Sequence, residues 1–241
     1  MANWFLGRAL AEEAEAENAA WSFLGEGAAF WVTVAVLLVA GVAVYLVTRK
    51  KSSKKSFWTA KTMAVGAMCM ALSSVLSLIK LWSMPMGGSV TPASMLPLLL
   101  FAYCYGVGPG MVLGALYGVM QFVLDGGAWA ALGLIPNLLD YPIAFGLLGL
   151  AGCFRGSKAK MTAGFVLGCF GRFMASFLSG FIFYGQYAPE GVNPVWYSLT
   201  YNGSYMLVEC IICIVLGLLV GERLAKELKK VAMVKKLKKV A

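Results

Sequence analysis

Arg172, Ser176, Gly180 and Tyr184 recur at steps of four within a long apolar run, a spacing that keeps them near one face of a helix. One polar, partly aromatic face in such a run points to binding rather than to simple lipid anchoring. The run breaks at Tyr187-Ala188-Pro189-Glu190-Gly191, where Pro and Gly mark a turn. Aromatic and amide residues follow: Trp196, Tyr197, Tyr201 and Asn202. A carboxylate, Asp140, stands inside another apolar stretch, IPNLLDYPIAF, with Tyr141 beside it. A carboxylate at membrane depth is costly and by default suggests function; the bland alternative is a structural ion pair with Arg172. Glu209, about two turns past Asn202, offers Arg172 a second partner and is expected to be structural. Tyr141, Tyr184, Tyr197 and Trp129 fit an interfacial aromatic belt. Grouped with one acid near the outer surface, they also suit an organic cation with flat rings.

The elements that carry these residues follow from composition. Of 241 residues, 60% are hydrophobic and 13% charged, and mean hydropathy is +0.78. The chain is therefore expected to be an all-α polytopic membrane protein, because runs such as Phe30–Val47 are too long and apolar for a soluble core. Residues 1–27 form an acidic arm, and a first membrane helix is expected over 28–48. The basic segment 49–61, with Arg49, Lys50, Lys51, Lys54, Lys55 and Lys61, marks the cytoplasmic side. Further helices are expected at about 62–81, 95–105, 111–124, 136–153, 161–184 and 202–220, followed by a basic tail over 223–241. Seven crossings then put the N-terminus outside and the C-terminus in the cytoplasm. The segment LWSMPMGGSVTPAS is expected to be an outer loop able to cover a site. Ala60–Ala64 and Ala67–Ala71 are small-xxx-small pairs, which let another helix approach closely, either within the fold or from a partner.

Several chemistries are excluded. The net charge of +9 sits in loops and tail, which the positive-inside rule explains without nucleic acid. The six cysteines lie in or beside apolar segments, and the chain has no histidine. Cys210 and Cys213 thus have no companions for a zinc site. Gly106, Gly108 and Gly110 lack the Lys-Ser/Thr of a phosphate loop, and no serine lies in a nucleophile-elbow motif. Membrane-embedded binding fits better than an enzyme, with no cofactor implied.

Three blocks resemble the substrate-binding (S) component of energy-coupling factor thiamine transporters: MPMGGSVTPASMLPLLLFAYCYGVGPGMVLG, NLLDYPIAFGLLGLAG and FLSGFIFYGQYAPEGVNPVWYSLTYNGSYML. The resemblance covers roughly residues 62–222. It implies a six-helix membrane domain that takes thiamine from outside and docks on one transmembrane coupling protein and two ATPases. The leading helix lies outside the pattern. By resemblance, the family's acid falls on Asp140 with Tyr141 beside it, its basic residue on Arg172 and its stacking aromatic on Tyr184. Its Tyr and Asn after the loop fall on Tyr197 and Asn202, its close-approach glycine on Gly180, and a further ring contact near Trp129. The family has a histidine where this chain has Ser176. The helix carrying Ala64, Ala67 and Ala71 is implied to meet the coupling protein. Two other readings remain: an S component for another vitamin or a thiamine precursor, and a structural membrane protein whose polar residues only hold helices together.

Overall fold

The computed structural model describes residues 59–85, 87–125, 134–189 and 191–233. The acidic arm, the helix expected over 28–48, most of the basic linker, and Trp129 lie outside the described residues. Within them, five helices are long and apolar enough to cross a membrane, and a sixth, shorter apolar helix accompanies them. Helix α1 (Ala60–Leu78) starts where the Thr59 side chain accepts from the Thr62 amide, an N-cap that satisfies a free backbone donor. A small hairpin follows, β1 (Trp82–Ser83) paired antiparallel with β2 (Ser89–Val90), where only a loop was expected. Its turn uses Gly87 and Gly88 at positive φ.

Helix α2 (Leu96–Tyr105) is buried along nearly its whole length. Ten residues at 1.5 Å each reach only about half the hydrocarbon thickness. The remainder of the crossing falls to the non-helical segment 89–95, most of which is buried. Backbone of that kind is tolerated at membrane depth only inside protein. Ala93 there takes a positive φ of 67°, a strained setting for a residue with a Cβ. Gly106, at φ 105°, turns the chain directly into α3 (Val107–Leu124). Beside this turn, Arg155 donates to the carbonyls of Tyr103 and Cys104, closing the end of α2.

The fourth span is composite: α4 (Leu134–Leu138), a π-helical turn (Leu139–Ile143), α5 (Ala144–Leu147) and a 3-10 turn (Leu148–Cys153). Pro142, which has no N–H to donate, lies inside the π-turn, and such bulges recur at functional sites. The span lies hard against α3 because Gly110, Gly114 and Gly118 line the contact. A Cβ on Gly118 would stand 2.6 Å from the Tyr141 carbonyl carbon and 2.8 Å from the Pro142 Cα. This glycine stripe lets the two backbones touch and so fixes where Asp140 and Tyr141 sit.

Helix α6 (Lys158–Phe183) begins on a Ser157 cap, earlier than expected. Helix α7 (Pro194–Leu216) continues through a π-turn (Gly217–Gly221) into α8 (Glu222–Met233). The expected start of this last span at Asn202 is corrected to Pro194. Asn193 accepts from the Val195 amide at 2.8 Å, and Pro194 at the first helical position is pre-set for helix. The fourth span is already helical at Leu134, the first residue described there, ahead of the expected Pro136, and α3 starts at Val107 rather than Met111.

Candidate functional site: a tyrosine-walled chamber

Between the hairpin and the hairpin-side halves of α3, the fourth span, α6 and α7 lies a cavity of about 540 Å³, within the usual range for small-molecule sites. Asp140, Tyr141, Arg172, Ser176, Gly180, Tyr184, Tyr197 and Asn202 all line it. The structure therefore brings together every candidate binding residue that it describes. The earlier helix start places Tyr197 in the first turn of α7 and Asn202 two turns in, rather than in a loop and at a helix start.

Asp140 projects from the π-turn toward α6 and accepts a hydrogen bond from Ser179 Oγ at 2.6 Å. It does not take Arg172 as its ion-pair partner. Arg172 Nη1 lies 3.9 Å from Glu209 Oε2, and its guanidinium stacks 4.1 Å above the Phe145 ring. Its Nε and Nη1 are buried without a hydrogen-bond partner, leaving donors unspent beside the chamber. Glu209 is 1% exposed; its Oε1 accepts from Thr91 Oγ1 at 2.5 Å and Ser94 Oγ at 2.7 Å. The structural role expected for Glu209 thus has a defined form. It neutralises Arg172 and straps down the chain between β2 and α2.

Gly180 is a close-approach point between α6 and α7: a Cβ there would meet Asn202 Nδ2 at 2.9 Å. Asn202 crosses that gap, donating to the carbonyls of Ser198 at 3.1 Å and Ser176 at 3.3 Å and accepting from Tyr205 OH at 3.1 Å. Its amide is largely committed to holding the two helices together. Ser176 is buried, so a short side chain stands where the resemblance implies an imidazole.

The walls are aromatic. Tyr197, Tyr201 and Tyr205 follow one another at steps of four along α7, with ring centroids 5.8 Å and 6.3 Å apart; Tyr184 pairs with Tyr187 at 6.3 Å. Tyr201 OH donates to the Gly87 carbonyl at 2.8 Å, so the hairpin rests on this row. Among the lining residues not singled out from the sequence are Ser77, Tyr117, Gln121, Asp125 and Tyr205. Tyr205 and Glu209 extend the step-of-four series of Tyr197 and Tyr201, a signal that was present in the sequence.

Helix α1 presents its apolar side outward. Ala64, Ala67 and Ala71 are exposed, as are Met63, Met68, Leu72 and Val75. Its opposite side, with Gly66, Cys69 and Ser73, packs inward.

These features define a multi-pass membrane protein built around a ligand-sized polar and aromatic chamber. The family described as "Thiamine transporter protein (Thia_YuaJ)" matches residues 63–229. The chain is 41% identical over 152 residues to thiamine transporter ThiT of Bacillus subtilis (strain 168), covering 57% of this chain and 77% of that protein. It is 34% identical over 135 residues to thiamine transporter ThiT of Lacticaseibacillus paracasei, covering 50% of this chain and 67% of that one. Among solved structures, ThiT from Listeria monocytogenes superposes with a TM-score of 0.61 at 20% identity, covering 69% of this chain and 96% of that chain. An S component of a bacterial ECF transporter superposes at 0.50 and 19% identity, covering 70% of this chain and 98% of that chain. The last two establish the fold. The chain belongs to the thiamine transporter protein family, whose members are transporters and not enzymes.

Proposed function

We propose that this protein is the thiamine-binding membrane subunit of an energy-coupling factor importer, capturing thiamine from outside for uptake driven by partner ATPases. One observation carries the reading within this family. The chamber presents the carboxylates of Asp140 and Asp125, neither in an ion pair among the described residues, between walls of tyrosine. Thiamine is an organic cation with two flat rings, a thiazolium and a hydrogen-bonding aminopyrimidine, joined by a methylene. Aromatic faces attract such a cation, and a carboxylate compensates for its lost hydration. In this reading Asp140 meets the positive charge, and Tyr141, Tyr184 and Tyr197 supply ring faces. Arg172 offers its spare donors to ring nitrogens, Ser176 lines the space an imidazole would fill, and Gly180 with Asn202 keeps α6 and α7 close. Trp129 is retained as a further ring contact.

Calorimetry on the detergent-solubilised protein tests this. Saturable binding of one thiamine per chain is expected, with weaker binding of its hydroxymethylpyrimidine precursor. Tighter binding of the precursor would favour a precursor transporter, which the small Ser176 side chain makes the second reading. No binding of either sinks both.

The exposed alanines of α1 are proposed to meet a transmembrane coupling protein that acts with two ATPase subunits. Ala67→Trp or Ala71→Trp is expected to abolish co-purification with that module while thiamine affinity stays unchanged, because bulk holds the partner helix away. Co-purification at normal yield would place the interface elsewhere. The basic segments are proposed to face the cytoplasm, leaving the N-terminus outside. A cysteine introduced at Ala2 should then react with an impermeant maleimide on intact cells; reaction only after lysis rejects the leading crossing.

A further inference from the structure

We infer that Asp125 is a second anionic contact for the ligand, acting at a donor group other than the one that meets Asp140; this rests on the thiamine reading above. Asp125 caps the end of α3, its amide bonded to the Gln121 carbonyl at 2.8 Å. Its side chain is held by two neutral donors. Oδ1 accepts from Gln121 Nε2 at 3.1 Å, and Oδ2 accepts from Tyr141 OH at 3.2 Å. The Gln121 amide is itself oriented, because its oxygen accepts from Ser77 Oγ at 3.2 Å and Tyr117 OH at 3.0 Å. That arrangement directs the nitrogen to Asp125.

Each Asp125 oxygen uses one acceptor position on these contacts and keeps another. Neutral donors orient a carboxylate without cancelling its charge. A half-buried carboxylate lining a ligand chamber with no cation in an ion pair among the described residues carries a desolvation cost that a donor or cationic ligand group relieves. Holding Tyr141 in place needs only a neutral acceptor, so a structural role leaves the charge unexplained. Asp125 bonds the hydroxyl of Tyr141 at the end of α3, whereas Asp140, the chain neighbour of Tyr141, bonds Ser179 on α6, so the two carboxylates are held by different partners on the chamber wall. Such a pair selects a ligand with positive or donor character at two points. Thiamine has two, the thiazolium ring and the pyrimidine amino group.

Asp125→Asn keeps the acceptor for Tyr141 and removes the charge. Thiamine affinity, measured by calorimetry on the full chain in detergent, is expected to fall about tenfold. Tyr141→Phe separates the two roles. If Asp125 touches the ligand, Asp125→Asn still costs several-fold in the Tyr141→Phe background; no further loss there means it acts only through Tyr141 and overturns the proposal. A change under twofold in the single variant also overturns it. If the asparagine variant melts early, Asp125→Ser repeats the measurement under the same criteria. Failure of the unaltered protein to bind thiamine overturns the functional reading and this proposal together. Normal binding by the parent with an unaffected Asp125→Asn overturns this proposal alone.

Discussion

Asp140→Asn is expected to weaken thiamine binding by about 2–4 kcal/mol, on the order of a hundredfold, the scale for leaving one member of a buried charge pair alone. The substitution preserves size and the acceptor for Ser179, so the hydrogen bond at 2.6 Å survives in a weaker, uncharged form. Removing the charge withdraws the anion placed by the π-turn, and no other acid lies on that segment. Arg172 does not substitute for the loss, because its charge has the same sign as the ligand's. Calorimetry with the folded variant reads the effect. If Asp140→Asn binds as the parent does, Asp140 is structural and the thiamine reading loses its main physical support.

Glu209→Gln should have the second large effect, on both stability and affinity. An arginine beside a cation site is a liability unless something cancels it, and Glu209 is the group in reach, 3.9 Å from the guanidinium. Breaking a buried pair by deleting one partner costs roughly 3–5 kcal/mol. The glutamine oxygen can still accept from Thr91 or Ser94, so most of the damage comes from the bare Arg172 charge. The thermal unfolding midpoint in detergent should drop, and thiamine affinity should fall with it. Adding Arg172→Met to Glu209→Gln should recover stability, because the uncompensated charge is then gone. A Glu209→Gln protein that melts with the parent would mean that Phe145 and the surrounding dipoles alone hold Arg172.

The chamber was legible where its residues broke an apolar pattern. Arg172, Ser176, Gly180 and Tyr184 announce a face by their spacing, and Asp140 announces itself by being charged in a helix. The pairing of Arg172 was not legible, since Asp140 and Glu209 are both acids at plausible depth and only packing chooses between them. The Ser77–Gln121–Asp125–Tyr141 chain joins three helices through partners up to 44 positions apart, and nothing local marks such links. The small hairpin was hidden for another reason: two-residue strands leave almost no alternation to read. The start of α7 could have been found, because Asn193-Pro194 is a cap followed by a favoured first helical residue. The long aromatic stretch after it disguised the helix as a loop.

The glycine stripe on α3 divides the chamber into a frame and a panel. Where Gly114 and Gly118 lie on the carbonyls of Phe145 and Tyr141, no side chain is available to exchange, and any added atom would push the whole fourth span aside. The α6–α7 wall is made of side chains, Tyr184, Tyr197, Tyr201 and Ser176, that can be swapped one at a time without moving a backbone. A scaffold divided this way can acquire a new ligand by re-tiling one wall while the acids on the other stay in register. Reshaping it for a different vitamin should therefore begin on α6 and α7 and leave the glycines untouched.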